Sequence, residues 1–240
     1  MKKIILLNGS PKGEHASSNI ILDDFKKLER NNSSNNNECD IEYEKFHIMD
    51  LVKNKEEISI VKESIVTSDA VIIAFPLYVD CLPSIVIQFL YEIQNMLNKQ
   101  HKQSEEKNEK SSEINCKVYT IVNNGFPEGE QNKVACEIVK NFCKSVNIQW
   151  GGAVGIGMGG MVSGVKDVPM KAFIKKNYRN ALEKIFNSIE SGESLKENIY
   201  TEFNFPKKMY LSMGTKGWYK RAKLNGIGKE RLFARPYKIK

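Results

Sequence analysis

The sequence has no long apolar run and no closely paired cysteines. Its longest mostly apolar stretch, Ala70 to Val79, covers about half of the roughly 20 residues that a membrane-spanning helix needs, and Pro76 interrupts it. Its five cysteines are odd in number and include no C-x-x-C pair, a usage typical of reduced thiols rather than of disulfides or a metal site. These absences predict a cytoplasmic protein without a membrane span.

Other signatures are also missing. The apolar run near the amino terminus ends at Asn8, and no small-residue cleavage site of a secretion signal follows it. No Gly-Lys-Ser/Thr motif of a nucleotide-triphosphatase loop is present, and no catalytic triad or pair of carboxylates stands out. We therefore assign no catalytic acid or base and no metal ligand. The apolar fraction of 41% over 240 residues is enough for the core of one generous domain.

The first polar loop contains the most informative pattern of the chain. Lys3 to Leu7 is a short apolar run typical of a central parallel strand, and a helical pattern begins near Ser17, Ser18 or Asn19. The first N–H groups of a helix lack acceptors and attract anions. We predict that this loop binds a phosphate through hydroxyl, amide and ammonium groups of Ser10, Lys12, Ser17, Ser18 and Asn19. The alternative is an ordinary capped helix that follows a β-turn.

Further strands and helices alternate along the chain. We predict a weak second strand, at or near an edge, over 41–48, a strong central strand over 70–75, a fourth strand over 117–122 and a fifth that ends in the glycine-rich stretch 151–161. Helical patterns cover 56–67, 84–97, 131–146 and 171–189. The segment Lys99 to Glu113 has no apolar residue and carries charges of both signs, and it is predicted to be an insertion or a frayed helix end.

Loops follow the third, fourth and fifth of these strands. In open parallel sheets, the loops at the carboxyl ends of the strands form the ligand crevice. Tyr78 offers a flat face for stacking, or else it only caps the core. Asn124-Gly125 is either a ligand-binding loop that turns backbone N–H groups outward or a plain turn.

The glycine-rich stretch formally matches G-x-G-x-x-G between Gly155 and Gly160. We do not interpret it as a dinucleotide site, because it follows four strands and Val162-Ser163-Gly164 does not open a helix directly. Glycines allow a flat ligand to come close. We expect Gly157, Gly159 and Gly160 to border a second substrate.

The carboxyl-terminal segment differs in composition from the rest. Residues 204–240 hold 11 Lys or Arg and one acidic residue, a net charge of +10, so with a total of +7 the remainder carries −3. We predict a domain over 1–203 and a basic, aromatic tail over 204–240. Gly214, Gly217, Gly226 and Gly228 are expected to interrupt a helix there. We favour packing of the tail on its own domain or on a partner subunit, anchored by Trp218, Phe233 and Tyr237. The alternatives are that its basic residues bind the 2′-phosphate of NADPH, an anionic membrane surface or nucleic acid.

Two of the loops resemble those of a known family. Asn8-Gly9-Ser10-Pro11-Lys12 with Ser17-Ser18-Asn19 resembles the phosphate loop for flavin mononucleotide (FMN) in the flavodoxin-like NAD(P)H-dependent FMN reductases. Pro76-Leu77-Tyr78 resembles the Pro-x-Tyr segment that lines the flavin ring in that family. The resemblance spans roughly Lys2 to Ile189. The family more often has Arg where this chain has Lys12.

The resemblance implies an α/β fold with a doubly wound, five-stranded parallel sheet in the order 2-1-3-4-5. It implies FMN as cofactor, with ring contacts from the loops that hold Pro76, Leu77, Tyr78, Val79, Asn123, Asn124, Gly125 and Phe126. The implied activity takes a hydride from NADH or NADPH and reduces a quinone, a nitro or azo compound or free flavin. A homodimer or higher homo-oligomer is the implied assembly.

Two other classes of function remain open from the sequence. One is a flavodoxin-type electron carrier, although such carriers are usually strongly acidic and this chain is basic. The other is a flavin-free module whose tail binds nucleic acid or an anionic membrane. A response-regulator receiver needs an acidic cluster after the first strand, where this chain has Asn8-Gly9.

Overall fold

The computed structural model describes residues 1–32, 41–106 and 114–234. The chain forms two compact units, Met1–Asn204 and Phe205–Lys240. The first contains the sheet and the predicted ligand loops, and the second contains the basic tail.

In the described residues, a single parallel sheet of six strands organises the first unit. The strands are β1 Lys2–Asn8, β2 Ile41–His47, β3 Ala70–Pro76, β4 Lys117–Asn123, β5 Gln149–Ile156 and β6 Ile199–Thr201, in the order 2-1-3-4-5-6. The predicted order of the first five strands is confirmed, and β2 lies at an edge as expected. The predicted number of five is wrong, because β6 pairs with β5 from Val154↔Ile199 onward. Three residues are too few to show a strand period in the sequence.

Seven α-helices accompany the sheet in the described part of this unit. They are α1 Ser17–Asn32, α2 Ile48–Leu51, α3 Lys55–Val66, α4 Ser84–Glu106, α5 Lys133–Ser145, α6 Gly160–Gly164 and α7 Lys176–Ser191. Three differ from the prediction. Helix α2 was not expected, and it begins at Ile48, the last residue of the predicted second strand. Helix α4 continues past Leu97 to Glu106 through residues with good helix propensity, and residues 107–113 lie outside the described ranges. Helix α6 opens directly at the glycine-rich stretch, where no helix was expected.

The sheet is buried on both faces, as the apolar runs of its central strands predict. Ile5 and Leu7 of β1 belong to a core cluster with side chains of α3, α4 and α5, whereas α1 and α7 contact β1, β3 and β5. Each fully buried aliphatic side chain contributes about 1.5–3 kcal/mol, so the strand runs supply much of the stability. Cys136 and Cys143 of α5 are buried, whereas Val134 on the same helix is exposed.

The second unit consists of helix α8, Lys207–Leu224, and a 3-10 turn at Lys229–Phe233. Helix α8 passes through Gly214 and Gly217, so the prediction that these glycines interrupt a helix is wrong. The helix ends before Gly226, whose φ is +70°. Within its described residues, 205–234, only Ala222 is buried. In the described parts of the chain, no helix combines the length and apolar character needed to cross a membrane.

Candidate cofactor site

The sheet brings the predicted ligand loops side by side. Register pairs Asn8 with Ala74, Pro76 with Asn123 and Asn123 with Ile156, so β1, β3, β4 and β5 end at the same edge. The pairing continues beyond the strands through the Gly9 N–H, which donates to the Ala74 carbonyl at 2.7 Å. Gly9 must be small, because a Cβ there would lie 2.6 Å from the Val86 side chain. The loops therefore leave the sheet from fixed, adjacent positions.

Buried polar side chains concentrate at this edge of the sheet. The residues concerned are Asn8, Ser10, Ser18, Asn19, Asn123 and Asn124. Burying uncharged polar groups costs free energy unless they are hydrogen-bonded. Most of these side chains have protein partners, and the bonds they make set the shape of the loops.

Asn8 shapes the first loop. Its Oδ1 accepts the Ser10 N–H at 3.1 Å, and its Nδ2 donates to the Gly13 carbonyl at 2.9 Å. The same Nδ2 lies 2.9 Å from Nδ1 of His47, at the end of β2. Gly13 adopts a φ of +57°, which glycine tolerates best. Sequence reasoning assigned neither Asn8 nor His47 to the site, although an Asn where a strand turns into a loop was a usable signal.

Asn124 has the same role in the loop after β4. Its Oδ1 accepts the Phe126 N–H at 2.7 Å, and its Nδ2 donates to the Glu128 carbonyl at 3.1 Å. Gly125 does not adopt a positive φ, so the side chain of Asn124 forms this turn. The turn leaves the Phe126 ring 54% exposed.

A buried hydrogen bond joins the two loops. Ser18 Oγ donates to Asn123 Oδ1 at 3.1 Å, which couples the first turn of α1 to the end of β4. Next to it, Asn19 Nδ2 donates to the Glu14 carbonyl at 3.1 Å. Within the described residues, Asn19 Oδ1 is buried without a hydrogen-bond partner. A bound molecule with a hydroxyl group would supply the missing donor.

The remaining predicted phosphate residues have groups left for an anion. Ser10 is buried, and its Oγ accepts the Lys12 N–H at 3.3 Å, which leaves its own O–H to donate. The Lys12 side chain is exposed, and Ser17 is the first residue of α1. A helix amino terminus, two hydroxyl groups and an ammonium group suit a phosphate monoester. The residues present therefore fit the phosphate of a mononucleotide.

The loop after β3 is a tight turn at Tyr78–Cys81. The Tyr78 N–H donates to the Cys81 carbonyl at 2.9 Å, and the reverse bond is 3.0 Å. Between them, Val79 and Asp80 have φ values of +51° and +57°, the left-handed pair of a type I′ turn. A β-branched residue rarely adopts this conformation, and Val79 is 97% exposed. Such strain is often found at binding sites, and here it holds the Tyr78 side chain 41% exposed.

The glycine-rich loop packs against the loop after β4. The Gly159 N–H donates to the Asn124 carbonyl at 2.6 Å, and the Met158 N–H donates to the Phe126 carbonyl at 2.6 Å. A Cβ on Gly157 would lie 2.4 Å from the Pro127 carbonyl oxygen. Close backbone packing thus accounts for Gly157 and Gly159, whereas Gly160 is exposed at the start of α6. Contact of these three residues with a second substrate stays a prediction.

The described cysteine and tyrosine side chains whose pKa is most strongly raised are buried in the core, away from these loops. Burial raises the pKa of Cys116 to about 11 and those of Cys136 and Cys143 to about 12, so these thiols stay protonated in the core. The pKa of Tyr178 is also raised, first by burial and then by the negative charge of the adjacent Asp24 carboxylate. In the described ranges, no three His, Cys, Asp or Glu side chains are grouped so that they could bind a metal ion.

The same architecture occurs in solved structures. An oxidoreductase from Corynebacterium diphtheriae superposes with a TM-score of 0.54 at 8% identity, over 80% of this chain and 96% of that one. The chain has a flavodoxin-like fold. At this identity the likeness establishes the fold alone. No protein-family model matches the chain, and no curated protein matches it by sequence.

Two further solved structures are similar at lower scores. An NAD(P)H:quinone oxidoreductase from Methanothermobacter marburgensis matches at a TM-score of 0.49 and 10% identity, over 81% of this chain and 96% of that one. An azoreductase from Bacillus anthracis matches at a TM-score of 0.41 and 12% identity, over 80% and 97%.

Proposed function

We propose that the protein is an FMN-dependent oxidoreductase that uses NADH or NADPH to reduce a quinone, a nitro or azo compound or free flavin. The observation that supports this most is the Ser18–Asn123 bond, which ties a phosphate-type loop to a loop that presents an aromatic ring. Tyr78 is exposed in the turn after β3, the strand that lies between β1 and β4. This order of features along one sheet edge suits a ligand with a phosphate at one end and a flat ring at the other.

The phosphate end of the ligand would be bound by Ser10, Lys12, Ser17 and the amino terminus of α1. Ser18 and Asn19 support this loop through their bonds to Asn123 and Glu14. Lys12 contributes a mobile point charge rather than the planar fork of an arginine. We therefore expect its contribution to be mainly electrostatic.

The ring would lie against Tyr78 and Phe126, with Pro76, Leu77, Val79 and the backbone of 123–125 beside it. When bound, FMN would supply the hydride and electron transfer between the nicotinamide and the acceptor. The chain would bind and orient the ring and keep water from one of its faces. Side-chain acids or bases are not needed for these tasks, in keeping with their absence from our assignment.

We also propose that two or more copies associate. Ile87 and Tyr91 are large apolar side chains one turn apart on α4, and both are exposed. This helix begins just after the Tyr78 turn, so a second copy seated on it would border the ring.

The free thiols of the four described cysteines suit a reducing compartment such as the cytoplasm.

FMN retention tests the proposed function. Protein incubated with excess FMN and then desalted should keep a flavin absorbance band at about one flavin per chain. Lys12→Glu should weaken retention, because it replaces an attraction to the phosphate with a repulsion. Lys140→Glu, on the exposed surface of α5, is the matched control and should retain flavin like the wild type.

Activity is the second part of the test. The loaded protein should oxidise NADH or NADPH in the presence of a quinone or free flavin. A colourless protein without measurable FMN affinity would contradict the proposal. A yellow protein without NAD(P)H oxidation would favour the electron-carrier alternative.

A further inference from the structure

The segment between β5 and α7, Gly157–Lys175, contacts both ends of the candidate site. We call it the β5–α7 segment. At its start, the Gly159 N–H donates to the Asn124 carbonyl in the loop after β4. In its middle, Ser163 of α6 places its Oγ 3.2 Å from Oγ of Ser17, the first residue of α1. The segment therefore spans from the proposed ring side to the proposed phosphate side.

A buried ion pair fixes the far end of this segment. Lys175 is 1% exposed, and its Nζ lies 3.7 Å from Oδ2 of Asp24, which is also buried. The Tyr178 hydroxyl donates to the same carboxylate oxygen at 3.2 Å. Asp24 lies two helical turns after Ser17, so both residues are on the same face of α1. The β5–α7 segment is thus attached to this face at two levels.

The Ser17–Ser163 pair has one hydrogen-bond donor to spare. Each hydroxyl carries a single O–H, and one of the two is enough to join the pair. The other O–H can donate outward, at the end of α1 where the first backbone N–H groups also lack intrahelical acceptors. Ser163 is exposed, so its hydroxyl is accessible to a ligand. In the same first turn of α1, Asn19 Oδ1 is buried without a partner among the described residues, an independent sign that this end of α1 accommodates a ligand with a hydroxyl group as well as a phosphate.

We propose that Ser163 is a phosphate-binding residue, which acts with Ser17 on the terminal phosphate of the flavin. The inference rests on the proposed function and adds a residue from a distant part of the chain to the first loop. The phosphate would be held between the amino terminus of α1 and α6, and the Lys175–Asp24 pair would fix the position of α6 against α1. Ser163 is a binding residue in this account, and Lys175 is a positioning residue.

A comparison of FMN with riboflavin tests this role, because the two differ only in the phosphate. Dissociation constants come from the quenching of flavin fluorescence by the wild type, Ser163→Ala, Ser163→Thr and the control Ser212→Ala, an exposed serine of α8. A hydrogen bond to a charged group predicts that Ser163→Ala binds FMN about tenfold more weakly and riboflavin unchanged. Ser163→Thr keeps the hydroxyl and should bind FMN within about twofold of the wild type.

Two results would overturn the inference while leaving the proposed function intact. One is an unchanged FMN affinity in Ser163→Ala. The other is an equal loss of affinity for FMN and riboflavin, which would indicate that the residue only supports the fold. If the wild type binds neither flavin, the proposed function itself fails, and the assignment of Ser163 fails with it. Thermal melts of all four proteins establish that each variant is folded.

Discussion

Three asparagines determine the local shape of the candidate site. An asparagine side chain has both a donor and an acceptor, so Asn8 and Asn124 can each bond to an N–H and a carbonyl of their own loop. Asn123 accepts the bond that couples the loops. An aspartate has a similar shape but only accepts when ionised, and at position 8 it would also place a negative charge beside the proposed phosphate site. The uncharged amide is therefore the suitable group at these positions.

Replacing Asn8 with Asp tests this reasoning. The Nδ2 donor to the Gly13 carbonyl would become an acceptor facing an acceptor, and we expect a loss of about 1–3 kcal/mol in the free energy of unfolding. FMN affinity should fall as well, because the new charge repels the phosphate. Urea denaturation and a flavin titration measure the two effects.

Asn54→Asp is the matched control for this change. Asn54 caps α3 by accepting the Glu56 N–H, a task that aspartate performs equally well, and the one bond that its Nδ2 donates, to Glu57, is exposed to solvent. This variant should unfold within about 0.5 kcal/mol of the wild type. Equal stabilities of the two variants would show that the donor function of Asn8 is unimportant.

At the scale of elements, the contact between the glycine-rich loop and the loop after β4 depends on backbone proximity. Gly157→Ala would place a methyl group against the Pro127 carbonyl, and backbone cannot move aside as a flexible side chain can. We expect a loss of about 2–3 kcal/mol in stability and weaker FMN binding, because the shift reaches Asn124 and Phe126. Thermal unfolding and FMN titration report the two losses.

Gly125→Ala provides the comparison for this loop. A Cβ on Gly125 meets nothing within 4 Å, and its φ is not positive, so the folded protein should lose little stability. If Gly157→Ala is as stable as Gly125→Ala, the backbone around Gly157 and Pro127 has room for a methyl group and close packing does not require this glycine.

The sequence predicted most elements of this fold, and the misses have physical causes. Apolar runs predicted β1, β3 and β4, because central parallel strands are buried on both faces. The short β6 had no such run. In α8, the cost of about 1 kcal/mol for each glycine did not outweigh the other residues of an 18-residue helix. The helix therefore accommodates Gly214 and Gly217, contrary to the prediction.

The sequence predicted which loops lie side by side, but not the hydrogen bonds between them. The loops at 8–19, 76–79 and 123–126 lie together as the strand order requires. The pairing of Ser17 with Ser163 joins residues 146 positions apart, and no local pattern encodes such a contact. The assignment of Ser18 and Asn19 to the phosphate also missed that their side chains have partners within the protein.

At the scale of the whole molecule, charge and exposed apolar surface concentrate in the second unit. Trp218 is 76% exposed and Phe233 is 72% exposed, and Tyr237 lies outside the described residues. An isolated helix of this length is only marginally stable in water without packing. Within residues 205–234 only Ala222 is buried, so the described part of the unit has almost no core of its own. Packing on the domain or on a partner subunit stays our prediction.

Truncation after Phe205 tests that prediction. If the tail packs against protein, the shortened chain should melt at a lower temperature or sediment as a smaller oligomer than the full chain. The double variant Lys220→Ala/Lys223→Ala keeps Trp218 and should behave like the wild type in both measurements. Unchanged melting and sedimentation, with loss of binding to anionic liposomes or to nucleic acid, would instead identify the tail as a docking arm.

The bond between the Gly9 N–H and the Ala74 carbonyl also bears on how the protein ages. Asn-Gly is the dipeptide in which the following backbone nitrogen most readily attacks the side-chain amide, giving a succinimide and then aspartate or isoaspartate. At Asn8-Gly9 that nitrogen is held by the neighbouring strand, and both ends of the amide are bonded. Strand pairing thus preserves the chemical identity of Asn8 as well as its geometry, and the loop remains intact for as long as the sheet does.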